Sequence, residues 1–201
     1  MFQLGLLASH RGSNVRAVIE ACRDGRLRSR PAVVISNNGD AEVLATARAA
    51  GVPAVHVGGP AVADPAVRDR AILSALRDHG ADLVLLLGYL RLLGLETLAA
   101  YAGRTLNTHP ALLPRHGGQG LYGVRVHQAV LAAGDRETGV TLHHVTARYD
   151  EGAAIAQCRV PVLPGDTPGA LAARVLAREH GFLVESLAAL EAGYLRLDPG
   201  G

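Results

Sequence analysis

The amino-acid sequence predicts an α/β fold: an open, Rossmann-like, mostly parallel sheet with helices on both faces and a C-terminal antiparallel extension. Three observations lead there. Short apolar runs alternate with helically spaced segments from residue 2 to residue 110, glycines close those helical segments, and beyond residue 110 two strand-like stretches follow one another with no helix between them. Strands that alternate with helices pair in parallel, because a parallel partner is reached only through a crossover. Right-handed crossovers then cover both faces of the sheet.

The elements follow in order. FQLGLLAS (2–9) is a short apolar strand, and in NVRAVIEACRDGRL (14–27) Val15, Val18, Ile19 and Cys22 recur at helical spacing. PAVVISNN (31–38) leads into the helix 41–51, VPAVHV (52–57) into the helix 65–80, and ADLVLLLG (81–88) into the helix 95–103. A glycine ends each helix, as expected of a C-terminal cap. RTLNTHP (104–110) is the next strand. A glycine-rich loop, HGGQGLYG (116–123), then precedes a helix at 124–134, and the strands 139–146 and 153–162 form an added antiparallel pair. In the last helix, 168–193, Leu171, Val175, Leu183, Leu187 and Leu190 make one apolar stripe. No linker, repeat or low-complexity tract divides the chain, which reads as one domain over 1–201 with halves at 1–103 and 104–201.

A chain of 201 residues that is 49% hydrophobic can bury a sizeable core. Its formal charge of +2 is spread without a basic tail, so no nucleic-acid partner is expected. Cys22 and Cys158 form neither a CxxC nor a CxxH pattern, which fits free thiols in a reducing compartment. There is no basic leader region and no apolar run approaching the roughly 18 residues of a membrane span, so a cytoplasmic protein without membrane contact is expected.

Three segments hold side chains suited to chemistry. HRGSN (10–14) lies between a strand and a helix, where unpaired N–H groups and the helix dipole attract an anion. Gly12 permits close backbone approach, and Ser13 and Asn14 add donors; the same residues also serve as plain helix caps, and neither a P-loop lysine nor GxGxxG is present. Asn107 and His109, two apart in a strand, share a face at its carboxyl end, where open parallel sheets bind ligands. A histidine there can equally be structural. In HHVTARYDEG (143–152), Asp150 and Glu151 are either solvated turn acids or include a buried carboxylate that raises a nearby imidazole's pKa and fixes its tautomer. His143 and His144 face opposite ways, so at most one faces the core and they make a poor metal pair; no metal is expected. His56, His79, His127 and His180 are scattered singly and read as structural. GYLRLLG (88–94) is either a buried connection or a stretch whose main-chain groups meet a planar heterocycle.

Taken in order, GSN (12–14), GYLRLL (88–93), NTHPALLP (107–114) and DEG (150–152) resemble the 10-formyltetrahydrofolate-dependent formyltransferases, and among them the phosphoribosylglycinamide formyltransferase family. The resemblance runs from about residue 3 to 193. NTHPALLP with the later aspartate points to formyl chemistry, and GSN to the ribonucleotide. The resemblance implies transfer of a formyl group from 10-formyltetrahydrofolate, a cosubstrate, to the amine of glycinamide ribonucleotide (GAR) in de novo purine biosynthesis. It implies that Gly12, Ser13, Asn14 and Glu179 hold the ribonucleotide. Leu90, Arg91, Leu92 and Leu93 would hold the folate through main-chain groups, with Thr146, Ala147, Arg148, Tyr149 and Asp150 on its other side. Asn107, His109 and Asp150 would surround the formyl group, so that 1–103 is a phosphate-binding half and 104–201 a catalytic and folate half.

The chemistry calls for these residue types. Amine attack turns the formyl oxygen into an oxyanion, which Asn107 and His109 can meet as donors, and losing one such donor costs on the order of 10²–10³ in rate. Asp150 can orient His109, favour its charged form and move the amine proton through a water to the departing nitrogen. Departures from the family pattern are His10 and Arg11 beside the anion loop, Pro65 in place of a basic residue, and Leu176 where Gln or Lys is usual; the loop 116–123 is expected to be a lid. A monomer or homodimer is expected. Two alternatives are a formyltetrahydrofolate hydrolase, with water in place of the amine, and a non-catalytic nucleotide or folate binder; an extra regulatory or tRNA-binding domain is not expected from the length.

Overall fold

The computed structural model describes residues 1–197; residues 198–201 of the expected domain lie outside the described residues. Strands β1 (Gln3–Leu7), β2 (Arg30–Ser36), β3 (Ala54–His56), β4 (Leu83–Leu86) and β5 (Thr105–His109) are parallel, and β6 (Glu137–His144) and β7 (Ala154–Pro161) continue the sheet antiparallel. The order across the sheet is β3-β2-β1-β4-β5-β6-β7. Between β1 and β4 the winding reverses direction, which opens a crevice at the strands' carboxyl ends.

Alternate residues of each strand enter opposite cores, as the pleat requires. Leu4, Leu6, Leu83, Leu85, Leu106, Val140 and Leu142 pack with α1 (Ser13–Arg23), α2 (Glu42–Ala49), α5 (Val124–Ala132) and α6 (Pro168–Glu191). Leu7, Val33, Ile35, Val84 and Leu86 pack on the other face with α3 (Pro65–Asp78) and Tyr101, just beyond α4 (Leu95–Ala100). All five residues of the expected α6 stripe are buried. Pro65 opens α3 at its first position, and the preceding Asp64 carboxylate accepts the Ala66 and Val67 N–H groups at 2.8 and 3.0 Å. Proline needs no N–H bond there, so its place in the sequence is explained by helix initiation.

Element bounds shift by a few residues from the sequence reading, β6 being Glu137–His144 rather than 139–146, and two further features were not anticipated. A 3-10 turn, Pro60–Val62, occupies a stretch read only as a connection. The strand β6 is buried along nearly its whole length, because the segment after β5 folds over its second face: Thr141 Oγ1 donates to the Ala111 carbonyl at 2.7 Å and accepts the Leu113 N–H at 3.0 Å. Cys22 and Cys158 are free, and among the described residues no helix is long and apolar enough to cross a membrane.

Candidate active site

A cleft of about 760 Å³ runs along the carboxyl ends of β1, β4 and β5, walled by residues 88–93, 118–123, His143, 145–146 and 148–150. At one end the chain leaves β1 and enters α1 through Gly12. This residue has φ 65°, and a Cβ built on it would lie 2.2 Å from Val43 Cγ2, so only glycine fits without displacing α2. Gly12 itself is the N-terminal cap, and no side chain caps the helix. The first-turn N–H groups and the positive end of the dipole are therefore not spent on a cap.

Behind this loop lies a buried carboxylate. Asn14 Nδ2 and Thr108 Oγ1 both donate to Glu179 Oε1 at 2.8 Å, joining α1, β5 and α6 at one atom. Burial pushes the Glu179 carboxyl above its ordinary value, and the two donors offset this only in part. Asn14 Oδ1 is buried with no partner among the described residues.

The polar centre of the cleft is built on β5, β6 and the loop after β6. Asp150 follows β6 in a left-handed turn at φ 57°. The chain can make that turn because Gly152 passes the His144 carbonyl so closely that a Cβ would lie 1.8 Å from its oxygen. The Asp150 carboxylate faces His109 Nδ1 at 3.4 Å, His143 Nε2 at 3.6 Å and Asn107 Nδ2 at 3.5 Å, and accepts the Gly118 N–H at 3.0 Å. Burial alone would lift this carboxyl; the His143 and His109 rings in their protonated forms, together with the Gly118 N–H, outweigh it and hold it below its ordinary value.

Hydrogen-bond partners fix the imidazole tautomers. His109 Nε2 lies 2.8 Å from the His116 carbonyl, which can only accept, so Nε2 carries a proton and Nδ1 is the nitrogen turned to Asp150. His143 Nδ1 donates likewise to the His144 carbonyl at 2.8 Å, which leaves Nε2 to accept from Asn107 Nδ2 at 3.0 Å. One amide hydrogen of Asn107 is thus used; the other makes only the long contact to Asp150. Burial pushes the His109 imidazole below its ordinary value, and the pull of Asp150 in the other direction does not cancel it. The carboxylate does pull the imidazole's pKa upward, as expected of such a neighbour, but the ring is 5% exposed and desolvation dominates the net shift.

Comparison with known proteins fits this geometry. The Formyl transferase family matches residues 3–187. The chain belongs to the formyl transferase family. The phosphoribosylglycinamide formyltransferase of Escherichia coli (strain K12) is 36% identical over 175 residues, 87% of this chain and 80% of that protein. The chloroplastic phosphoribosylglycinamide formyltransferase of Arabidopsis thaliana is 42% identical over 190 residues, 94% of this chain; the chain spans 65% of that relative's length, just under two thirds. The crystal structure of glycinamide ribonucleotide transformylase 1 from Symbiobacterium toebii is similar at a TM-score of 0.89 and 41% identity, covering 96% of this chain and 89% of that one.

In this member of the formyl transferase family, Gly12, Ser13, Asn14 and Glu179, then Asn107, His109 and Asp150, and Leu90–Leu93, Thr146, Arg148 and Tyr149 all line the one cleft. Ala147 is exposed and lies outside the lining. Two further details depart from the sequence reading. Asn14's N–H group is turned to Glu179, because a buried carboxylate needs a donor, so the donors left for an anion are main-chain N–H groups and Ser13. Leu90's N–H is bound by Ser9 Oγ at 2.9 Å, whereas the main-chain groups of Arg91, Leu92 and Leu93 have no hydrogen bond among the described residues. His10 and the 40%-exposed Leu176 lie on the cleft wall, and Arg11 is exposed outside it.

Two residues of the network were not singled out by sequence: Thr108, which holds Glu179, and His143, which holds Asn107. A signal for His143 was present. It lies within an apolar alternating strand just before the carboxylate loop, and the β5–β6 register sets it opposite Asn107.

Proposed function

We propose that this protein transfers the formyl group of 10-formyltetrahydrofolate to the amine of glycinamide ribonucleotide, giving formyl-GAR in de novo purine biosynthesis. The observation that carries this reading is the convergence of Asn107, His109 and Asp150 in one cleft with the uncapped N-terminus of α1. The main-chain N–H groups at 12–14 and the Ser13 hydroxyl bind the phosphate, and Glu179, at the edge of the same subsite, faces the ribose. The unpaired main-chain groups of residues 91–93 hold the heterocycle of the folate, with Thr146, Arg148 and Tyr149 across from it. The first half of the chain, 1–103, so carries the anion site, and 104–201 the reacting centre.

The steps follow from the donors and acceptors. The amine nitrogen attacks the formyl carbon, and the carbonyl electrons move to oxygen. Asn107 turns its remaining N–H to that oxygen, its amide held in place by His143. His109 rests neutral in its buried site, takes a proton from water in the cleft at Nδ1 as charge develops on the formyl oxygen, donates through it as the second donor while Asp150 stabilises the cation, and returns that proton to water when the carbonyl re-forms. Asp150 takes the amine proton and passes it through a water to the folate nitrogen. The bond from carbon to that nitrogen breaks, the carbonyl re-forms, and formyl-GAR and tetrahydrofolate leave. Holding two substrates in line supplies much of the remaining acceleration. The protein acts in the cytoplasm as a monomer or homodimer.

An assay with both substrates tests the reading. Formyl-GAR formed one-for-one with tetrahydrofolate supports it. Tetrahydrofolate and formate released at the same rate without the amine would make the protein a hydrolase, and binding of both ligands without turnover would make it a binding module.

A further inference from the structure

His109 is held from two sides by one loop. The His116 carbonyl takes its Nε2–H, and two residues on, the Gly118 N–H holds Asp150 at 3.0 Å. Gly117 between them packs so close to Asp150 that a Cβ would lie 3.2 Å from that residue's own Cβ. The segment 116–118 therefore touches both members of the His109–Asp150 pair through its backbone. Its aim depends on His116, which takes φ 57°, a left-handed conformation that is uncommon outside glycine, histidine being, with asparagine and aspartate, among the side chains that enter it most often. A backbone held there needs an anchor. His116 supplies one: its Nε2 lies 2.7 Å from Asp135 Oδ2, just beyond α5, and Asp135 Oδ1 is held in turn by Arg115. The side chains of His116 and Asp135 are 15% and 8% exposed, so the contact is largely out of solvent. The proposed steps of formyl transfer use neither residue.

We propose that His116 is a positioning residue whose side chain, bound to Asp135, aims its own carbonyl at His109 Nε2 and so leaves Nδ1 as the nitrogen that exchanges a proton. The consequence rests on the formyl-transfer reading, but the tautomer it predicts does not. Without the anchor, the His116 carbonyl turns away, and the neutral ring of His109 gains more by placing its proton on Nδ1 toward Asp150. That form cannot accept a proton at the position facing the cleft.

The test uses the full chain labelled with 15N-histidine, in the wild type and in His116→Ala, His116→Gln and Asp135→Ala, with His109→Asn to assign the ring signals. Long-range 1H–15N spectra report which nitrogen of His109 is protonated. The wild type should show Nε2 protonated at every pH. In His116→Ala and Asp135→Ala, Nε2 should lose its proton in the neutral ring, and kcat should fall roughly tenfold to a hundredfold with KM for both substrates little changed, as for a misplaced catalytic group. Glutamine carries an N–H at the reach of histidine Nε2, so His116→Gln should restore both readouts. The proposal is overturned if the wild type carries the His109 proton on Nδ1 alone, if the alanine variants keep both the Nε2 proton and the wild-type kcat, or if a folded His116→Gln fails to recover. Should the alanine variants not fold, the wild-type spectrum and His116→Gln decide. A wild type that transfers no formyl group yet shows the expected change of tautomer would remove the function and leave the positioning role standing.

Discussion

Replacing Asp150 by asparagine removes one negative charge, and with it the base that takes the amine proton, while keeping the side chain's size and the local backbone. Asparagine tolerates the φ of 57° that this position demands, and its amide oxygen can still accept the Gly118 N–H. What disappears, besides that proton acceptor, is the attraction between the carboxylate and a cationic His109, which alone sets a lower bound on the loss. With Nδ1 and Oδ2 3.4 Å apart and an effective dielectric of about 20, two unit charges attract by roughly 5 kcal/mol. The side chains are only 5% and 10% exposed, so solvent screens little of this. A polar amide retains part of the attraction, and at about 1.4 kcal/mol per tenfold the remainder corresponds to a fall in kcat on the order of 10²–10³. KM for the ribonucleotide should change little, since Asp150 makes no hydrogen bond or ion pair with the anion loop among the described residues. Steady-state rates with both substrates varied, on protein whose thermal transition is intact, measure the effect. A kcat within a factor of about ten of the wild type would refute the argument that this charge stabilises the transition state.

Other perturbations separate the parts of the site. His109→Ala should lower kcat by on the order of 10²–10³ while leaving the affinity for glycinamide ribonucleotide unchanged by calorimetric titration; a parallel loss of affinity would contradict the division of roles. Gly12→Ala forces a Cβ against Val43 at positive φ, so it should cost about 1–3 kcal/mol of stability and raise KM for the ribonucleotide but not for the folate. Because burial raises the Glu179 carboxyl, the folded state favours its protonated form. The group's contribution is full below the unfolded pKa of about 4.3 and is lost as pH rises through the raised folded value. Glu179→Gln keeps an oxygen to accept from Asn14 and Thr108 and carries no charge, so its Tm should overtake the wild type as pH rises; parallel Tm curves would show that the burial cost is absent.

The fold was legible because its signals are local. Apolar runs and helical spacings located the strands and helices from β1 to α6, and the change of pattern after residue 110 announced the antiparallel strands. The members of the polar centre could be named as Asn107, His109 and Asp150 from strand-end placement and motif likeness. Their partners could not, because these depend on register and on distant packing. His143 meets Asn107 only through the β5–β6 alignment, and Glu179 reaches Asn14 across 165 positions of sequence. The net pKa of His109 was out of reach for the same reason. A sequence shows the carboxylate that would raise it but not the depth of burial that outweighs it.

A crystal structure of the protein with glycinamide ribonucleotide and a non-transferring folate analogue would test the central claim most directly. The account predicts the phosphate against the main-chain N–H groups at the start of α1, and the oxygen that stands for the formyl carbonyl within about 3.2 Å of both Asn107 Nδ2 and His109 Nδ1. A phosphate bound elsewhere, or a formyl oxygen that meets neither nitrogen, would contradict it.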